Sequence, residues 1–161
     1  MNGPLNVHIC EQTLYNSVRI KNEANLLLEL AIKIARPKAA WSLAPIRDLS
    51  LEFPHTVELG AIRFQSELLT KNLSGLGRSF AFIATEGLEL ASWAGSLPPA
   101  KKPAAFLIRY LSLKQAEKKV EENLKELFGP LSLGAMSPGV LPQWPISAQE
   151  PFFELLKPLP L

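Results

Sequence analysis

The chain has 161 residues, 47% of them apolar and 20% charged, with 17 basic and 15 acidic side chains and a net charge of +2. These values predict a single domain over residues 1–161 and exclude bulk disorder, and the core they allow is large enough to need neither disulfide nor metal. The balanced charge gives no electrostatic case for nucleic acid, the lone Cys10 excludes an internal disulfide framework and fits a reducing cytoplasm, and no apolar run has the length of a membrane span.

The N-terminus has no basic head followed by an apolar block, so no secretory signal is expected. Residues 5–10 suggest a short strand. From Asn22 to Ala35 the apolar residues Ala24, Leu27, Leu28, Ala31, Ile34 and Ala35 fall on one helical face, and Pro37 disfavours helical geometry at Arg36. Lys38–Leu43 reads as a strand. Leu49, Leu51 and Phe53 then alternate with polar residues, as on a half-buried strand.

A helix is predicted over Phe64–Leu73, ending at Gly75-Leu76-Gly77, and Phe80–Ala84 reads as a central buried strand. Leu88–Ala94 suggests one or two helical turns closed by Gly95. The longest element is a helix from Ala104 to Phe128, with Phe106, Tyr110, Leu113, Ala116, Val120, Leu124 and Leu127 as its apolar stripe. Its polar side places Glu121 and Lys125 at i,i+4. Leu131–Met136 reads as a strand leading into the turn Ser137-Pro138-Gly139. Ser147 and Glu150 have capping-box spacing for a last helix carrying Phe152, Leu155 and Leu156. Fourteen prolines punctuate the chain, and the tail 157–161 is expected to be disordered. The order of elements lacks βαβ alternation. It predicts an α+β fold with a mixed or antiparallel sheet backed by the long helix.

Few residues carry chemistry. Gly75 and Gly77 lack the third glycine and preceding strand of a dinucleotide loop, so a tight turn is the better reading. His8 and His55 have no partners at metal-ligand spacing, and Cys10 reads as a partly buried thiol. No serine sits in a nucleophile elbow, and no acid/base pair stands out. A self-contained hydrolytic enzyme is therefore not expected. Thr85-Glu86-Gly87 lies between a strand and a helix, where free backbone N–H groups can meet an anion, although a plain polar turn has the same pattern. Trp41 and Trp93 read as core, and Trp144, in a proline-framed loop, reads as a residue for stacking on a flat ligand.

Two stretches resemble the activation domain of vitamin B12-dependent methionine synthase, particularly its short stand-alone relatives. Ser137-Pro138-Gly139, followed by Trp144-Pro145-Ile146, Gln149, Phe153 and Leu155-Leu156, is similar to the family's Pro-Gly turn and closing helix. Phe82–Glu89 is similar to its buried strand and Thr-x-Gly turn, and Pro37-Lys38-Ala39 before a strand also fits. The resemblance covers roughly residues 30–156. It implies S-adenosylmethionine bound beside Ser137, Pro138, Gly139, Val140 and Trp144, with Thr85, Glu86 and Gly87 as a second group of site residues. It implies reductive reactivation of cob(II)alamin, the electron coming from a flavodoxin-like donor and the methyl group from S-adenosylmethionine.

Ala135 stands where the family has Arg and Val140 stands where it has Tyr, and the resemblance leads to the expectation of a further apolar, strand-containing segment beyond the position of Leu161. The cobalamin-binding signature Asp-x-His-x-x-Gly is absent, so the resemblance implies a corrinoid carried by a partner protein or methyltransferase. Two functions follow as expectations. One is an accessory protein that binds S-adenosylmethionine for cobalamin reactivation. The other is a non-catalytic module that docks on the corrinoid partner without the methyl donor.

Overall fold

The computed structural model describes residues 3–6, 22–130 and 132–157. The fold is α+β. In chain order the strands are β1 (Gly3–Asn6), β2 (Lys38–Ser50), β3 (Thr56–Leu59), β4 (Ile62–Gln65) and β5 (Arg78–Thr85). The helices are α1 (Asn22–Ile34), α2 (Glu67–Leu73), α3 (Leu88–Ser96), α4 (Lys102–Phe128) and α5 (Gln149–Leu156), with 3-10 turns at Pro99–Lys101 and Ile146–Ala148. The sheet has the order β1-β2-β3-β4, with β5 also paired to β2, and the β2–β3 and β3–β4 pairs are antiparallel. The chain divides into two compact units, one of residues 3, 41–82 and 132–157, the other of residues 4–6, 22–40 and 83–130. Strands β2 and β5 contribute residues to both.

In the first unit the hairpin β3–β4 sets Val57 opposite Phe64 and Leu59 opposite Ile62. Val57, Leu59 and Phe64 are buried while their strand neighbours are more exposed, the period-2 pattern of a one-sided sheet. Gly60 turns the hairpin in the left-handed region (φ 62°), and its N–H donates to the Pro45 carbonyl at 2.9 Å. A bulge between Arg47 and Ser50, with Asp48 at φ 40°, ends the regular pairing of β2. Trp41 meets Phe80 edge to face at 5.9 Å.

In the second unit Leu27, Leu28 and Ala31 of α1, with Ala35 just after it, are buried against Leu90 of α3 and Ile108 of α4. Trp93 packs against this cluster while remaining partly exposed. The inner face of α4 is Ala105, Ile108, Ser112, Ala116, Val120 and Leu124. Its small residues let neighbouring helices approach closely. On the outer face Lys125 donates to Glu121 at 2.5 Å, the i,i+4 pair expected from the sequence.

Several boundaries differ from the sequence expectation. Lys38–Leu43 and Leu49 belong to one strand, which stops at Ser50. Leu51 and Phe53 lie beyond the bulge and are 51% and 88% exposed. Phe64 belongs to β4, and the helix that follows starts at Glu67 because Ser66 caps it. Strand β5 is half-covered rather than central, with only Ala81 buried. Gly95 lies within α3 instead of closing it.

The predicted stripe of α4 holds from Ala116 to Leu124, but Phe106, Tyr110 and Leu127 point outward and Ala105, Ile108 and Ser112 take the inner positions. Residues 132–136 form no strand. Ser147 makes no capping box. The 3-10 turn closed by Ala148 N–H on the Pro145 carbonyl places Ser147 inside helical geometry, and α5 starts at Gln149 without a side-chain cap. The strand expected at residues 5–10 is seen as Gly3–Asn6, with residues 7–10 outside the described residues, as are 158–161 of the tail.

The reassigned face of α4 sets a direct comparison. Ile108→Ala should cost about 2–5 kcal/mol in urea unfolding, whereas Phe106→Ala should stay within roughly 0.5 kcal/mol. Equal losses at the two positions would contradict this packing.

Candidate functional site

A buried serine just after β4 makes a polar tie to the C-terminal segment. Ser66, 4% exposed, accepts from the Leu69 N–H at 3.2 Å and donates its hydroxyl to the Gln143 carbonyl at 2.7 Å. The segment then closes on itself. Gly139 N–H donates to the Trp144 carbonyl at 2.8 Å, Trp144 N–H donates to the Leu141 carbonyl at 3.0 Å, and Leu141 and Trp144 form an isolated antiparallel bridge. Gln149 Nε2 reaches the Pro138 carbonyl at 3.4 Å. Backbone bonds among residues 137–148, with the Gln149 side chain, thus close a ring around the Pro-Gly turn.

Within that ring Pro138 is buried, and Ser137, Gly139 and Val140 are exposed, Val140 at 71%. Gly139 has φ 89°, and a Cβ there would sit 2.5 Å from Ile146 Cδ1. The space that glycine opens is therefore filled by the chain's own isoleucine. Trp144 is 3% exposed and lies between Phe64 and Phe152, edge to face with each at ring distances of 6.4 and 6.1 Å. It is an anchor of the segment rather than a surface ring. Its Nε1 has no hydrogen-bond acceptor among the described residues.

The second group of predicted site residues belongs to the other compact unit. Thr85 Oγ1 accepts from Gly87 N–H at 3.2 Å, and Gly87 (φ 93°) precedes α3 with its Cβ position 2.7 Å from the Arg36 carbonyl oxygen. Glu86 is paired with Arg109, whose Nε donates to Oε1 at 2.6 Å while Nη2 reaches the same oxygen. Glu89 supplies negative charge in the first turn of α3. The turn is therefore satisfied from within the chain, by a threonine hydroxyl, a carboxylate and a close backbone neighbour.

Beside this turn the sequence reading missed a cleft. It has a volume of about 290 Å³ and is lined by Ala91, Ala94 and Gly95 of α3 and by Lys102, Phe106 and Arg109 of α4. It was hidden because Phe106 reads as core by spacing alone. The signal available was the i, i+4, i+7 placement of Lys102, Phe106 and Arg109 on one helical face.

Charge elsewhere is modest. Lys71, hydrogen-bonded to Glu67 at 2.5 Å, holds the Glu67 carboxyl below its ordinary value, with His55 acting in the same direction. That contribution is present above the ordinary carboxylate range and is lost as pH falls through it. Among the described residues no three His, Cys, Asp or Glu side chains gather as a metal site, and no helix is long and apolar enough to cross a membrane. His8 and Cys10 lie outside the described residues.

The burial of Trp144 predicts a graded response. Trp144→Ala should destabilise by about 3–5 kcal/mol, and Trp144→Phe by clearly less, because it keeps a ring and removes an unmet donor. Chemical unfolding of the two variants checks the order.

No family model matches the chain, and no curated protein matches it.

Proposed function

We propose that the chain is a docking module of a corrinoid-dependent methyl-transfer system, with the segment from Met136 to Leu156 as its contact surface. The observation that carries this reading is the division of apolar side chains in that segment. Trp144 and Leu156 turn inward, while Val140, Leu141, Ile146 and Phe153 remain 71%, 47%, 63% and 50% exposed. Four outward apolar residues on a segment pinned by backbone bonds make a preformed patch, and such patches favour association with another protein. The similarity of residues 82–89 and 137–156 to the methionine synthase activation domain supports a corrinoid-carrying protein or methyltransferase as the partner. A flavodoxin-like electron donor would then act on that partner's cobalt.

The same similarity supports S-adenosylmethionine as a ligand of the Pro-Gly turn. Three features weigh toward docking alone. Ile146 fills the space above Gly139, Trp144 is packed between two phenylalanines, and Ala135 offers no cation for a carboxylate. In a docking role the turn's work is to present Val140 and Ile146 rather than to cradle a methyl donor.

The chain should co-elute in gel filtration with a cobalamin-loaded methyltransferase of the methionine synthase type. Val140→Asp with Phe153→Asp should abolish co-elution while the circular dichroism spectrum is unchanged. Calorimetric titration with S-adenosylmethionine should give no saturable heat. Saturable binding that disappears in Gly139→Val would instead restore the methyl-donor role, and failure of the folded wild-type chain to associate would overturn the docking reading.

A further inference from the structure

The cleft between α3 and α4 combines three features that stability alone does not favour. Lys102 occupies the first turn of α4, preceded by Lys101 at the N-cap, with no acidic residue in that turn and no side-chain cap. The 3-10 turn Pro99–Lys101 runs directly into α4, its carbonyls at Pro98 and Pro99 accept from the Lys101 and Lys102 N–H groups, and two cations this near the start of a helical segment gain nothing from its dipole. The Lys102 side chain has no hydrogen-bond or ion-pair partner among the described residues, while its backbone N–H donates to the Pro99 carbonyl. Phe106, one turn further on, is 69% exposed and forms a wall of the cleft.

Gly95 is helical and has open space around its Cβ position. Glycine in a helix costs up to about 1 kcal/mol relative to alanine, and no close packing here requires it. Gly95 lines the cleft together with Ala91 and Ala94, so this wall carries no side chain larger than a methyl group.

Arg109 supplies the far end. Its guanidinium is fixed by Glu86, whose carboxylate is 16% exposed, so the cation is oriented rather than free to wander. Glu86 neutralises one of the two cations lining the cleft, which leaves Lys102 to hold a ligand's charge. The volume of about 290 Å³ is near the lower end for small-molecule sites, which begin at roughly 300 Å³. A flat ring against Phe106 with an acidic group toward Lys102 uses every one of these features.

We propose that the α3–α4 cleft binds a small anion carried on an aromatic ring, Lys102 anchoring the charge, Phe106 stacking on the ring and Gly95 providing the room. This site is independent of the docking surface, since it uses none of the residues from Met136 to Leu156. The anionic group is a carboxylate or a phosphate monoester, and benzoate and phenyl phosphate distinguish the two.

The test is titration of the isotope-labelled full chain with each probe, followed by amide chemical shifts. Saturable shifts confined to residues 88–109 are expected for at least one probe, with a Kd near or below about 1 mM. Lys102→Gln should weaken binding about tenfold, the loss of one charge-assisted contact. Gly95→Leu should abolish it, and its Tm should equal or exceed the wild-type value. Lys102 is exposed, so that variant decides the matter even where Gly95→Leu disturbs the helix. Absence of saturable shifts with both probes would overturn the proposal. So would undiminished binding in Lys102→Gln, or inorganic phosphate binding as tightly as phenyl phosphate.

Discussion

The hydroxyl of Ser66 is the point on which the first compact unit depends. One oxygen caps α2 by accepting from Leu69 and, with its own proton, holds the carbonyl of Gln143. The Ser66 backbone adds to this, donating to the His55 carbonyl at 3.0 Å and accepting from both the N–H and the hydroxyl of Thr70. Leaving a buried hydroxyl unpaired is costly, and here both its donor and its acceptor are used, joining α2 to the C-terminal segment. Trp144, directly after Gln143, is thereby delivered to Phe64 and Phe152. The polar contact fixes the register, and the aromatic cluster supplies the burial.

How far the fold could be read from the sequence depended on whether each signal was local. The helix at Asn22–Ile34 carried its own stop, since Pro37 acts within the chain. The long helix was clear from its length and periodicity, but its rotation was not. Ala105 and Ser112 are small enough to lie at a close helix contact, and only tertiary packing reveals that they, with Ile108, displace Phe106 and Tyr110. The hairpin was missed because its strands are four residues each and its turn is the single pair Gly60-Ala61. A period of two over four residues is a weak signal beside the helical pattern that follows it.

The candidate sites were legible in proportion to backbone chemistry. Gly87 and Gly139 were both singled out from their turns, and both adopt positive φ. The sequence could not tell what occupies the space beside each glycine. At Gly139 it is Ile146, and at Gly87 it is the carbonyl of Arg36. Trp144 looked like a surface ring because prolines frame it, yet proline framing equally suits a loop folded back onto the core. The cleft beside α4 needed the rotation of that helix, and the shared face of Lys102, Phe106 and Arg109 was its one trace in the sequence.

The bond from Ser66 to Gln143 spans 77 residues of chain. During synthesis at the ribosome, the hairpin and α2 emerge long before the tryptophan that covers Phe64. Until then Phe64 has neither Trp144 nor Phe152 beside it, and the nascent first unit carries an incomplete aromatic cluster. The buried cluster of the helical unit joins residues 27 to 111, all of which are synthesised earlier. Order of emergence therefore favours early consolidation of the helices and late closure of the hairpin unit. A ribosome pausing before Gln143 would hold the chain in a half-closed, association-prone state.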